Sequence, residues 1–510
     1  MDTKKRLVRN TAANAGAQLL QMASGFVFMP FLLRAFGLES YGVFLLAGSF
    51  SGYLGLLDLG VGTSLVKYVA EQSAERDDAA MSRTISTAYV FYLCVGALAA
   101  LTLVSLAYWG VDLLSIPAAS IHLARTLFFV GAVAALVSWP ASVATYVLAG
   151  LQQYETTARV RVGIVIAAAV GTTATIMGGW GPVALLIISS AIGLLGSAVC
   201  VLVSLRALPN VTVSLGMASW STFRRILRFS RLVFFIQMFG MLFATQTDRL
   251  VLGAFIGPAA IALYEAAGKL QTLIQQLAVL VGSAVVPTAS DLRARGKEDT
   301  LRELFLRGTK YAVIAVCPVA VTLIVLARPL LVAWLGPDFT SVTLGAQIFL
   351  SFWLLNANTT VAGSILVGIE RLRFVLWYTI ALGATNALLS IFLVQRIGLL
   401  GVIVGTVVPY YLGFPVYLWF VLRTLGVPAR LWWSRVFWTC YPLLAVPALI
   451  SGLCVWSRPN MGLYETAAVA AASVGSYWFL AFRLALTRGE RADAHSLLRR
   501  FTARTDLLQA

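Results

Sequence analysis

Charge is scarce in this sequence: Asp, Glu, Lys and Arg together supply 12% of its 510 residues, against about a quarter in soluble domains. Only 21 of these are acidic, against 38 lysines and arginines, and there are two histidines. The five cysteines (Cys94, Cys200, Cys317, Cys440 and Cys454) form no CxxC pair and all sit in apolar runs, so zinc ribbons, redox motifs and a disulfide scaffold are set aside and each reads as a small buried hydrophobe. No cofactor and no metal is called for. What fills the space is apolar side chain, 59% of the sequence, with a mean hydropathy of +0.86. A soluble enzyme and a disordered chain are excluded, and an all-α polytopic membrane protein remains.

A helix needs roughly 20 apolar residues to cross the hydrocarbon core. About fourteen such spans are expected, near 11–33, 42–66, 84–108, 122–149, 160–178, 182–205, 229–256, 260–290, 308–327, 341–367, 374–395, 398–422, 435–456 and 463–486. The net charge of +17 does not point to nucleic acid, because the cations fall in short clusters between apolar runs. Alternate segments hold 31 of the 38 lysines and arginines, and the opposite segments hold five. The positive-inside rule then places both termini in the cytoplasm. The basic start (Lys4, Lys5, Arg6, Arg9) precedes an apolar run whose small residues lie on the wrong side for signal cleavage, so an uncleaved first helix is expected.

Shifting the sequence by 223 residues aligns its halves: Tyr41 falls on Tyr264, Gln72–Ser86 on Arg295–Thr309, and Cys94 on Cys317. The interval holds an even number of spans, which predicts parallel repeats. The expected organisation is an N-lobe of six helices (1–206), a C-lobe of six (207–423), two appended helices (424–486) and a cytoplasmic tail (487–510) on which no core depends. The segment Arg206–Arg228, with Pro209, Asn210 and Gly216 followed by the basic stretch from Trp220, reads as the linker between lobes. The basic run Arg293–Lys310 reads as a solvated, lipid-facing surface, with attraction to anionic headgroups expected.

Polar residues inside apolar spans keep helical spacing. Asn10, Asn14, Gln18, Gln21 and Gly25 share one face of span 1, and Glu265, Lys269, Thr272, Gln276 and Ser283 share one face of span 8. Long amides and charges suit a cavity lining, whereas the stripes Ser51-Gly55-Asp58-Gly62, Asn356-Thr360-Ser364 and Thr379-Gly383-Asn386-Ser390 also suit interhelical packing. Gln237 and Asp248 lie on one face of span 7. The turn Gly257-Pro258 sets Arg249 level with Glu265, and Asp248 near Lys269. Two readings stay open here: neutralising pairs, or cations offered to an anionic substrate with the acids holding them or titrating. Arg34 lies at a rim, as a third cationic contact or a snorkelling side chain. Asp58 has no basic neighbour in sequence and is a candidate coupling or gating residue beside a packing role.

At these residues the sequence resembles a known family. Pro30–Glu71 (PFLLRAFGLESYGVFLLAGSFSGYLGLLDLGVGTSLVKYVAE), Thr247–Leu292 with DRLVLGAFIGPAAIALYEAAGKL and VVPTASDL, and RPLLVAWLGPDF at Arg328–Phe339 are similar to the polysaccharide transporters, the Wzx-type oligosaccharide flippases of the multidrug/oligosaccharidyl-lipid/polysaccharide exporter superfamily. The resemblance implies two six-helix, MATE-like lobes whose central cavity opens alternately to either side. It implies transport of an undecaprenyl-pyrophosphate-linked oligosaccharide from the inner to the outer leaflet of the bacterial cytoplasmic membrane, with membrane lipids and glycan polymerase or assembly proteins as partners. A monomer is expected. A cation-coupled multidrug exporter of the same fold is the first rival. A membrane glycosyltransferase or polymerase is the second, and it finds no catalytic carboxylates in the short outer loops. A non-transporting scaffold of glycan assembly is the third.

Overall fold

The computed structural model describes residues 3–244, 247–283 and 285–492, and among them it is helical with no strand. In chain order the helices are α1 (Thr3–Leu54), α2 (Val61–Glu75), α3 (Asp78–Ser105), α4 (Ile121–Gly150), α5 (Tyr154–Met177), α6 (Pro182–Ala207), α7 (Trp220–Ala244), α8 (Thr247–Phe255), α9 (Pro258–Ser283) and α10 (Val285–Ala294). There follow α11 (Glu298–Leu335), α12 (Thr343–Ser351), α13 (Trp353–Gly368), α14 (Leu372–Ile397), α15 (Leu399–Leu425), the short α16 (Ala429–Trp432) and α17 (Trp438–Cys440), α18 (Ala445–Ser457) and α19 (Leu463–Leu480).

Eleven described segments are long and apolar enough to cross a membrane, which makes this a multi-pass membrane protein. The difference from fourteen lies in the polar spans. Spans 1 and 2 run into one helix of 52 residues, turned only at Gly37 (φ 74°, ψ 166°). Spans 7 and 8 are not among the eleven. Residues 245, 246 and 284, which fall within those two spans, lie outside the described residues, and the count of eleven is confined to the described ones.

The chain divides into two compact units, residues 1–263 with 394–402, and residues 264–393 with 403–510. In the first unit, Val61, Leu65, Val69, Met81, Ile85, Tyr92, Val143, Val147 and Ile226 close a core between α2, α3, α4 and α7. The predicted linker is a strap laid along α3. The backbone N–H groups of Thr212, Ser214 and Ser219 donate to Ser82 Oγ (3.2 Å), Ser86 Oγ (3.1 Å) and Thr87 Oγ1 (3.1 Å). Helical hydroxyls thus stand in for the sheet or helix partners that the strap does not have. From Trp220 the segment is helical, as α7.

The second half of α1 meets α8 within this unit. Leu46, Ser49 and Tyr53, spaced by three and four residues, face Gly253, Arg249 and Thr247 in turn. The α3–α4 loop grips the end of α8, with Ser115 N–H donating to Gly253 O (3.0 Å) and Ser115 Oγ to Ala254 O (2.7 Å). Nearby, a Cβ built on Gly42 would stand 1.9 Å from the Pro258 carbonyl oxygen, a backbone atom that cannot swing away. We expect Gly42→Ala to cost about 3 kcal/mol, the upper end of overpacking, read as a lowered melting temperature in detergent. Unchanged melting would contradict this close approach.

The second unit is built on α11, which α13, α18 and α19 flank. The buried amide of Asn358 on α13 donates to the Tyr441 hydroxyl (2.7 Å), which in turn donates to Leu354 O. Tyr477 Oη donates to Cys440 O (3.2 Å) and Trp478 Nε1 to Ile314 O (3.0 Å). The helices beyond 425 are therefore pinned by hydrogen bonds as well as by apolar contact.

Three expectations are corrected here. Lys310 is not part of a solvated surface: its Nζ lies 2.6 Å from Glu490 Oε2, with side chains 8% and 2% exposed. The segment after Arg488 is consequently not independent of the core, because its Glu490 fills that pair. Leu497, Leu498 and Phe501 of the tail lie outside the described residues. Cys94 is exposed and Cys454 partly so, against the expectation that every cysteine is buried.

Burial alone would raise the Glu490 carboxyl, but hydrogen bonds from Lys310 and from the Thr487 backbone and hydroxyl, with the lysine's charge, bring it down to about 2. A depressed carboxylate contributes stability above its unfolded value of about 4.3 and loses it as pH falls towards the folded value. The clasp is thus closed at neutral pH and opens only between about pH 4 and about pH 2. Glu490→Gln leaves the lysine buried without a counter-charge and should cost about 3 kcal/mol. Equal melting of Glu490→Gln and the unaltered protein at pH about 7 would remove the clasp from the account.

Candidate functional site

Asp58 sits where the second span is interrupted. The turn Gly55–Asp58 is a single 3₁₀ turn, and Leu59 (φ 50°) and Gly60 (φ 72°) then adopt left-handed conformations before α2 begins at Val61. Leu59 in that region costs about 1–2 kcal/mol, so the break is held by its surroundings. One hold is visible: a Cβ on Gly60 would meet Ser230 Cβ and O at 3.2 Å, with α7 closing over the break. Ser64 Oγ and Ser230 Oγ are hydrogen-bonded at 2.8 Å one turn further on. A discontinuous helix frees backbone groups inside a membrane, a feature tolerated where protein or water covers them.

The carboxylate at this break receives a hydrogen bond from the Tyr92 hydroxyl of α3. Tyr92 is fully buried, its ring stacked between Trp139 and Tyr146, with both centroids at 5.9 Å. Trp139 and Tyr146 are seven residues apart on α4, two turns, and so present one face to α3. Tyr146 reaches the Asp58–Tyr92 pair as well, and its ring lies against Gly62, where a Cβ would come within 2.3 Å of Cζ. Small Gly62 on the spacing read from the sequence is thus the socket for a tyrosine. The sequence stripe located Asp58 and Gly62. It gave no sign of Tyr92 and Tyr146, which arrive from other helices.

A second cluster lies higher on α1. Arg249 Nη1 is 3.4 Å from Ser49 Oγ, which also donates to Leu45 O (2.9 Å). One turn on, the Tyr53 hydroxyl is 3.2 Å from Thr247 Oγ1, and Asp248 is buried beside them. Ser49 on α1 and Asp58 on the 3₁₀ turn that follows α1 are nine residues apart. The unit therefore holds a cation beside α1 and an acid at the break beyond its end.

The other candidates are distributed as follows. Gln18 and Gln21 are exposed on α1, as is Arg34. The side chains of Asn14 and Gln237 lie outside the described residues. Glu265, Lys269, Thr272 and Gln276 are half-buried on α9, where Thr272 Oγ1 donates back to Lys269 O (2.7 Å). Asn356 on α13 is engaged locally, its Oδ1 accepting from Thr359 Oγ1 at 2.6 Å. Its stripe meets α9, because a Cβ on Gly282 would fall 3.0 Å from Ser364 Oγ and 3.2 Å from Thr360 Cγ2. Ser390 on α14 is pressed against Gly405 of α15 in the same manner. Thr360, Ser364 and Ser390 thus lie at close helix contacts.

No curated protein matches the sequence. Among solved structures, the fold matches the lipid II flippase MurJ in an inward closed conformation (15% identity, 93% of this chain and 99% of that one, TM-score 0.68). It also matches a multidrug resistance MATE family transporter of the MOP superfamily in its inward-facing conformation (18%, 80% and 94%, 0.64). A third match is a MOP superfamily transporter from Pyrococcus furiosus, described as having a binding pocket of reverse polarity that suggests a different function (17%, 84% and 96%, 0.56). At these identities the likeness establishes the fold. The family profile described as polysaccharide biosynthesis protein matches residues 7–293, more than half of the sequence. The chain belongs to the polysaccharide biosynthesis protein family and has a MATE-like, MOP-type membrane fold.

Proposed function

We propose that the protein is a flippase, not an enzyme, that carries an undecaprenyl-pyrophosphate-linked oligosaccharide from the inner to the outer leaflet of a bacterial cytoplasmic membrane by alternating access, with both termini cytoplasmic. The observation that carries this reading is Arg249, a cation held at a membrane-embedded helix by Ser49 in a chain of the polysaccharide biosynthesis family. A guanidinium in a low-dielectric setting suits a pyrophosphate, whose oxygens it meets in pairs. Lys269 and Arg34 add cations, and the exposed amides Gln18 and Gln21 offer partners to sugar hydroxyls. An amide facing hydrocarbon is costly, so this face of α1 belongs against water or cargo. Asp58 supplies a protonatable group at a helix break for coupling or gating.

The Asp58–Tyr92 pair also favours a second reading, a cation-coupled multidrug exporter. The two readings separate in cells. Depleting the protein should remove surface polysaccharide and accumulate lipid-linked glycan, with drug susceptibility unchanged. Drug tolerance that follows expression, with surface glycan intact, would replace the first reading by the second.

A further inference from the structure

Away from these clusters, at one end of the second unit, four arginines from separate elements converge on a cavity of about 200 Å³: Arg293 of α10, Arg302 of α11, Arg371 just before α14 and Arg423 near the end of α15. One carboxylate, Glu298, shares the lining. It is matched to Arg293 at 3.3 Å, and Arg302 is matched to Asp299 at 3.0 Å. Among the described residues Arg371 and Arg423 have no ion-pair partner, so two uncompensated guanidinium groups face one small space.

The cavity is built rather than incidental. Arg302 Nε donates to Leu425 O at 2.8 Å, fixing its plane against the end of α15. The chain turns there through Gly426 (φ 64°), where a Cβ would stand 2.9 Å from the Arg302 guanidinium. Arg423 lies over the Trp419 ring, 5.4 Å from its centroid, and Trp419 is itself 57% exposed. An exposed tryptophan with a stacked arginine marks the headgroup level of a membrane. Like charges gathered at that level repel unless an anion joins them. At about 30 Å³ per water, the space admits one phosphate or diphosphate group and a few waters.

We propose that this arginine pocket binds a phosphoryl group, and that the group is the headgroup phosphate of an anionic membrane lipid. The site is independent of the cargo assigned above. The test uses the full-length protein in nanodiscs of phosphatidylcholine with or without phosphatidylglycerol, and native mass spectrometry to count retained lipid. We expect the unaltered protein to retain phosphatidylglycerol at least fivefold over Arg371→Gln/Arg423→Gln, with Arg159→Gln, an exposed arginine of α5, as the unaffected control. Arg302 is left in place because it holds backbone. Each single variant, Arg371→Gln and Arg423→Gln, should give a smaller loss, which guards against misfolding of the double variant.

A parallel arm adds inorganic pyrophosphate to the protein in phosphatidylcholine alone and follows thermal unfolding. Stabilisation that the double variant loses would support the phosphoryl site and assign it to a soluble anion. Equal phosphatidylglycerol retention by all variants, with no stabilisation by pyrophosphate, would overturn the proposal.

Discussion

Replacing Arg249 with alanine is expected to lower glycan export at least tenfold while the protein remains at its normal level in the membrane. The reason lies in what the guanidinium touches. One of its contacts within the fold is a long one, 3.4 Å to Ser49 Oγ, and Ser49 keeps its bond to Leu45 O without it. A charge-assisted hydrogen bond to pyrophosphate is worth about 1.5–3 kcal/mol, and that range corresponds to a loss of about tenfold to more than a hundredfold. Arg249→Lys keeps the charge and gives up the paired geometry, so it should recover part of the loss. Lys269→Ala should act in the same direction. Surface glycan measured beside an immunoblot checks all three, and normal export by both alanine variants would remove the cationic site.

The second large effect is expected at Asp58. Asparagine keeps an oxygen that accepts from the Tyr92 hydroxyl and removes the titratable charge, so the helix break should survive while coupling does not. Export by Asp58→Asn should fall about tenfold, the roughly 1.4 kcal/mol by which a charged hydrogen bond exceeds a neutral one. Tyr92→Phe keeps the ring stacked between Trp139 and Tyr146 and removes only the donor, so a smaller, several-fold loss is expected. Transport by Asp58→Asn that matches the unaltered protein at every pH would assign Asp58 to packing alone.

These residues also mark how far a sequence can be read. Apolar run length locates the spans on α3 to α6 and α11 to α19 because crossing lipid imposes it locally. Spans 1 and 2 are where the described structure departs from simple counting, because most of both lies on one helix that ends at Leu54. Spacing put Asp58 and Gly62 on one face, but their partners Tyr92 and Tyr146 come from α3 and α4, and helix periodicity carries no information on which neighbour a face meets. The same limit explains Asn358. Asn356 was on the expected polar face, yet Asn358, two residues on and facing elsewhere, is the one that holds Tyr441.

Long-range pairs were equally hidden. Lys310 and Glu490 are 180 residues apart, and each read alone as an ordinary solvated charge. Glycine stripes were legible as close approaches without saying which: Gly282 against Thr360 and Ser364, and Gly405 against Ser390, proved to be helix contacts. The affiliation of α8 with the first unit depends on Ser115 and Ser49, two single hydroxyls that no composition argument selects.

The most direct test reconstitutes the purified protein in vesicles holding an undecaprenyl-pyrophosphate-linked oligosaccharide and follows the glycan's appearance on the opposite leaflet with a membrane-impermeant lectin. The account predicts movement that depends on the protein, that falls at least tenfold with Arg249→Ala, in line with one lost charge-assisted contact, and that falls with Asp58→Asn as well. Vesicles in which the glycan stays on its original leaflet while a cationic drug is transported would contradict it.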